Sequence, residues 1–174
     1  PSSPTPTLTP EPALQMEEVK ITVIEGSVAR FRVREQLAGR DFANDAVGVT
    51  TAIEGTIVFS AIGEVRPERS KMTVDLQSLK SDQDRRDRFI KRNTLESNRF
   101  PLAEFEIRAA PGLTWPIPTN GDMTFDLIGN MTVHGVTKPL RWTVEAQFSE
   151  GLLKGVARTN FRFGYFGMEV PSVF

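Results

Sequence analysis

The feature that most constrains this chain is a strict alternation of apolar and polar residues that recurs along it. It is clearest where Leu140, Trp142, Val144, Ala146 and Phe148 interleave with Arg141, Thr143, Glu145 and Gln147. A period of two belongs to a strand, whose successive side chains leave opposite faces of a sheet. One apolar face and one polar face mark an antiparallel sheet that covers a core on one side only. The same alternation puts Val19, Ile21 and Val23 on one face, and sets Ala29, Phe31 and Val33 against Arg30, Arg32 and Arg34. Met72, Val74 and Leu76 alternate with Thr73, Asp75 and Gln77, and Ala103, Phe105, Ile107 and Ala109 with Glu104, Glu106 and Arg108. Ile53–Phe59, residues 123–127 and residues 153–163 complete the set.

Turn chemistry separates these runs. Asn120-Gly121 reads as a hairpin turn, Ser149-Glu150-Gly151 closes the next hairpin, and Pro111-Gly112 with residues 115–119 forms a longer loop. Residues 81–92 break the alternation. Ser81 is a candidate N-cap, Asp84 falls in the first turn and basic residues follow, the charge order that suits a helix dipole. Its apolar content is only Phe89 and Ile90, so this helix lies across a surface instead of filling a core. Phe100-Pro101 ends the excursion. The expected fold is all-β: an antiparallel β-barrel of about eight strands, with one short helix near an opening.

A length of 174 residues fits one domain plus a tail. Residues 1–12 alternate proline with Ser and Thr and cannot build a core, so residues 1–16 read as a linker or tail and residues 17–174 as the barrel domain. The linker serves equally as a tether to a membrane anchor or as a plain leader. The chain starts at Pro1, so an anchor or signal segment is expected to precede it, which would bring the domain close to a membrane.

The net charge of −1 gives no field for steering nucleic acid, and none is expected as a partner. Cysteine is absent, which excludes disulfides, thiol catalysis and cysteine metal sites. A metal centre or a Ser-His-Asp constellation would rest on the single histidine, His134. In its context that histidine reads as a donor to backbone at a tight turn. Asp41, Asn44 and Asp45 lack the alternation of a calcium loop. No metal, no cofactor and no catalytic set is expected. An enzyme working on a lipid phosphate through Asp87, His134 and an arginine ranks last, because no nucleophile, base and orienting group stand together.

The inward positions are not uniformly large. Ala103 and Ala109 flank Phe105 and Ile107, Ala146 lies between Val144 and Phe148, and residues 153–163 run Leu153, Gly155, Ala157, Thr159, Phe161, Phe163 on one face. A barrel of this size is either filled by side chains or holds one slim ligand, and small inward residues fit both. Aromatics such as Trp115, Trp142, Phe125 and Phe166 are core by default, and in a barrel the core is also the lumen wall. Arg85, Arg86, Asp87 and Arg88 form a dense charged cluster. It is either a lid that sets guanidinium groups beside a polar head or a solvated helix face with internal ion pairs.

The segments SVARFRVRE (27–35), AVGVT (46–50), IEGTIVF (53–59), SLKSD with RRD (78–87), TLESNRFPLAEF (94–105), HGVTKP (134–139) and FGYFGM (163–168) occur in this order over residues 20–170. Together they resemble the YceI-like family of small, extracytoplasmic, lipocalin-like barrels that hold a polyisoprenoid chain. The resemblance implies non-enzymatic binding, transport or storage of a polyisoprenoid or isoprenoid quinone in the lumen, in a periplasmic, secreted or membrane-tethered protein. On it, Phe31, Val33, Phe59, Met72 and Val74 become ligand-binding positions, followed by Phe105, Ile107, Phe125 and Leu127. Trp142, Val144, Ala146, Ala157, Phe161, Phe163 and Phe166 continue the wall, and Phe89 joins it from the helix. Arg85, Arg86, Asp87 and His134 are the candidate head-group contacts. The alternative is a protein–protein or sensory module with a filled barrel and its function on loops such as 115–120. Two departures stand out. Tyr165 occupies a position where the family usually has Asp, and the pattern normally continues past Pro171 with one more strand. A barrel lacking that strand would expose edges that invite pairing with another copy.

Overall fold

The alternation becomes strand wherever a turn can close behind it. The computed structural model describes residues 17–35 and 44–170; the proline-rich start, the Asp41 region and the residues past Val170 lie outside them. Among the described residues nine strands are formed: β1 (Val19–Thr22), β2 (Ala29–Glu35), β3 (Asn44–Thr50), β4 (Ile53–Phe59), β5 (Lys71–Asp75), β6 (Leu102–Ala109), β7 (Asn120–Val133), β8 (Val136–Ser149) and β9 (Leu152–Arg158). Seven of them make one antiparallel sheet in the order β1-β4-β5-β6-β7-β8-β9, and β2 and β3 pair as a separate ribbon. The strands curl into a half-barrel, with β1 and β9 as the edges of the larger sheet.

The ribbon is tied to the sheet at one end. Val49 and Lys80 exchange backbone hydrogen bonds of 2.8 and 2.9 Å, and Asp75 N–H donates to Ala52 O at 3.0 Å. Within the ribbon Phe31 faces Gly48, and its ring occupies the space a Cβ there would need. Glycine at that position is what lets the aromatic lie flat on its neighbour.

The longest pairing joins β7 to β8 through all fourteen residues of each strand, from Asn120↔Ser149 to Val133↔Val136. The connection is His134-Gly135, with φ of 53° and 72°. Two successive left-handed residues give the turn whose twist matches antiparallel strands. Glu150-Gly151, with φ of 48° and 80°, repeats the device between β8 and β9. Asn120-Gly121 does not turn the chain. It opens β7, because the reversal is completed earlier, in the loop that starts at Pro111 and Gly112, and Gly121 is already paired with Phe148.

The helix α1 (Asp84–Phe89) continues as a wider π-type turn over Ile90–Thr94, eleven residues together. Ser81 is not its N-cap. Gln83 holds that position without a side-chain bond, and Ser81 instead donates its N–H and Oγ to the Asp87 carboxylate at 3.0 and 2.5 Å. A carboxylate one turn into the helix thus reaches back to fix the chain before it. Ile90 and Thr94 are the buried residues of this element.

The apolar faces of β4 to β8 meet in one core that includes Phe59, Ile107, Phe125, Val144 and Phe166. Two inward assignments fail for local reasons. Ala109 is exposed because the register of β6 on β7 shifts between Ile107 and Ala109, which reverses the parity. The run expected over residues 153–163 ends as strand at Arg158. Beyond it Thr159 Oγ1 donates to Arg141 O at 2.8 Å, and Phe163–Phe166 form a 3-10 turn.

Candidate functional site

The concave face of the half-barrel gathers most of the inward residues. Phe59, Phe105, Ile107, Phe125, Leu127, Val144, Ala146 and Phe166 are buried in its core, and Phe31, Met72, Val74, Trp142 and Phe163 pack half-buried against them. Val33 is half-buried on the ribbon, Ala157 is exposed on β9, and Phe89 and Phe161 are exposed, although Phe161 sets its ring edge-on to Phe166 at 4.8 Å. Ala157 follows the correct parity, opposite Val144, but lies on the last strand of the sheet, where nothing described covers it.

Burial along this face is graded. On β7 the concave residues Phe125, Leu127, Met131 and Val133 are all buried. On β8 the buried set is Val144, Ala146 and Phe148, whereas Val136, Leu140 and Trp142 are half-buried. The change coincides with the reach of β9, which pairs β8 only from Thr143 to Ser149. Past that point side-chain hydroxyls take over the free carbonyls of β8, Thr159 on Arg141 O and Tyr165 on Pro139 O at 3.1 Å. The Val136–Trp142 flank of the trough is therefore only partly covered, by residues 159–167, and is open to that extent. Trp142 stacks obliquely on Phe105, with ring centres 6.0 Å apart, and its Nε1–H is buried without an acceptor among the described residues. A buried donor left unpaired costs about 1–3 kcal/mol.

The two ends of the trough differ. At one, Trp115 packs on Phe59 with ring centres 5.7 Å apart and donates Nε1–H to Ala61 O at 3.0 Å, which makes the loop before β7 part of the wall. A depression of about 470 Å³ lies on the other, polar face of the sheet, lined chiefly by Asp122, Thr124, Glu145, Gln147 and Lys154. The helix stands at the opposite end of the trough. There Glu96, with φ of 45°, accepts from His134 Nε2 at 2.6 Å and from Arg99 at 3.0 Å. The hydrogen bond from His134, and then that from Arg99, hold the Glu96 carboxyl below its ordinary value of 4.5. Phe100 lies edge-on to the imidazole at 5.0 Å. His134 thus sits in the expected tight turn, but its ring bonds a carboxylate and clamps the hairpin to the helix region; it does not donate to backbone.

The other head-group candidates separate. Asp87 is engaged with Ser81, Arg86 pairs with Asp82 at 2.5 Å, and Arg85 is exposed on the helix. One polar residue on the concave face went unnoticed in the alternation. Lys138 shares the parity of Leu140 and Trp142, and carrying the period two residues further back would have found it.

A curled antiparallel sheet with an apolar concave face, one end walled by a loop and the other flanked by a helix, defines a half-barrel all-β domain. More narrowly, the chain belongs to the YceI-like family, whose YceI-like domain model matches residues 20–173. It is similar to a UPF0312 protein of Pseudomonas putida, 37% identical over 87 residues, which cover 48% of this chain and 41% of that protein. A UPF0312 protein of Pseudomonas syringae pv. tomato is 33% identical over 99 residues, 55% of this chain and 45% of its own. The matched region thus spans less than half the length of these relatives. Among solved structures, BcnA of Burkholderia cenocepacia superposes with a TM-score of 0.58 at 13% identity, covering 83% of this chain and 82% of that one. A polyisoprenoid binding domain from Saccharophagus degradans, implicated in plant cell wall breakdown, superposes with a TM-score of 0.50 at 14% identity, covering 71% and 64%.

Proposed function

We propose that the protein binds a long apolar lipid, a polyisoprenoid or isoprenoid quinone, along its concave face and carries or stores it without catalysing a reaction on it. The observation that carries this is the open flank of the trough: Val136, Leu140 and Trp142 lie half-buried beside a fully buried core. Membership of the YceI-like family and the likeness to a polyisoprenoid binding domain support it. Apolar burial yields about 25 cal/mol per Å², and association costs roughly 4–15 kcal/mol. A ligand that covers on the order of 400 Å² gains about 10 kcal/mol, so a long chain binds where a short one does not. Where groups that could do chemistry occur they are spent on structure, His134 on Glu96 and Asp87 on Ser81. A setting outside the cytoplasm, periplasmic, secreted or membrane-tethered, belongs to the same proposal; the proline-rich residues 1–12 and the family resemblance support it, and cell fractionation tests it.

Native mass spectrometry of the purified protein tests the lipid assignment. A co-purifying species that fragments as an isoprenoid is the expected result. A bare protein that also fails to take up added long-chain isoprenoid would overturn it and favour the filled-barrel interaction module.

A further inference from the structure

The sheet pairs several of its outward cations. Lys71 meets Glu104 at 2.6 Å, Arg141 meets Asp126 at 2.9 Å and Arg158 meets Glu145 at 2.9 Å. Lys138 is different. It stands on the concave face of β8, in register with the buried Met131 and on the same side as Val136, Leu140 and Trp142. Among the described residues no carboxylate lies within ion-pair distance of it, and its contact is the Tyr165 ring, 5.7 Å from Nζ. Tyr165 is itself held by its hydroxyl on Pro139 O. An ammonium beside apolar side chains, faced by a ring and no counter-charge, favours an anion brought in from outside. Lys138 lies four residues beyond His134, at the end of the sheet clamped to the helix region through Glu96.

We propose that Lys138 is the head-group subsite of the trough and that the ligand is an amphiphile with an anionic head, such as a prenyl phosphate. This rests on the lipid assignment above and deepens it. The head would sit at Lys138 and the tail would lie on the half-buried side chains Val136, Leu140 and Trp142 that flank it.

The test compares geranylgeranyl monophosphate with geranylgeraniol, titrated by tryptophan fluorescence into the wild type, Lys138→Met and Lys138→Arg. The phosphate should bind the wild type about tenfold more tightly than the alcohol, the scale of one charge-assisted contact. Lys138→Met should erase that preference while leaving alcohol binding and thermal unfolding unchanged, and Lys138→Arg should keep it. Equal affinity of the two ligands for the wild type overturns the subsite and leaves the lipid assignment standing. Binding of neither ligand overturns both. Inorganic phosphate should neither bind nor compete; if it binds as tightly as the prenyl phosphate, the site reads a free anion and the assignment to a lipid head is wrong.

Discussion

β7 and β8 are partners over their whole length, carry the same alternation and face the same trough, yet the concave residues of β7 from Leu127 to Val133 are buried while those opposite them on β8, Val136 to Trp142, are half-buried. The difference comes from their neighbours. β7 has β6 beside it from Ile128 to Thr132 and the Pro111 loop bonded to it at Asp126, whereas β8 has β9 beside it from Thr143 to Ser149 and only two side-chain hydroxyls on its edge beyond that. Alternation decides which face a side chain takes; a strand's far-side neighbour decides whether that face is filled. The candidate site is the place where the pattern continues and the covering does not.

The sharpest way to break this comparison is to cut the same side chain from both strands. Leu127→Ala, on β7, removes a residue that is 7% exposed and should cost about 2–5 kcal/mol. Leu140→Ala, on β8, should cost under about 1.5 kcal/mol, because its surface is only partly withdrawn from water. Urea unfolding measures both, and equal losses would show that the flank is not open. Next in size is Ala146→Phe, which adds bulk on the concave face between Val144 and Phe148. It should cost about 1–3 kcal/mol and lower uptake of a C20 isoprenoid; undiminished uptake would place the tail elsewhere.

Trp142→Phe should change stability by less than about 1 kcal/mol despite the loss of an indole, because it also removes an unpaired buried N–H. A loss comparable to that of Leu127→Ala would mean the donor has a partner in solution. The smallest expected effect is at the helix end. Glu96 is held below 4.5, so its bonds to His134 and Arg99 add stability above that pH, and the contribution fades as pH falls through the lowered value. Wild type should therefore exceed Glu96→Gln in melting temperature at neutral pH, and the gap should close under acid. A gap that persists once Glu96 is protonated would assign the difference to packing.

The parity of the concave face was legible in the sequence, because alternation is a local property. Phe105, Ile107, Leu127, Val144 and Ala146 fall on the core side as their spacing requires. What periodicity missed depends on distant partners. The shift that exposes Ala109 is set by β7, and the end of β9 before Phe161 is set by hydroxyls that bind the edge of β8. The Glu96–His134 clamp joins residues 38 apart in sequence, and no spacing announces it. Ser81 went astray for a related reason, since an N-cap and a residue held by a later carboxylate carry the same local signature.

The two-residue turn at His134-Gly135 has a consequence for the order of assembly. It lets β7 and β8 zip by adding neighbouring pairs one after another, with little chain to close, and the Glu150-Gly151 turn extends the zipper to β9. β1, by contrast, must find β4 across a segment that includes the whole β2–β3 ribbon. Contacts close in sequence form at less entropic expense than distant ones, so we predict that the β7–β8–β9 meander forms early and β1 docks last. Ile21→Val should then accelerate unfolding and leave the refolding rate almost untouched, while Val144→Ala should slow refolding. The reverse pattern in stopped-flow kinetics would mean that the sheet nucleates at its far edge.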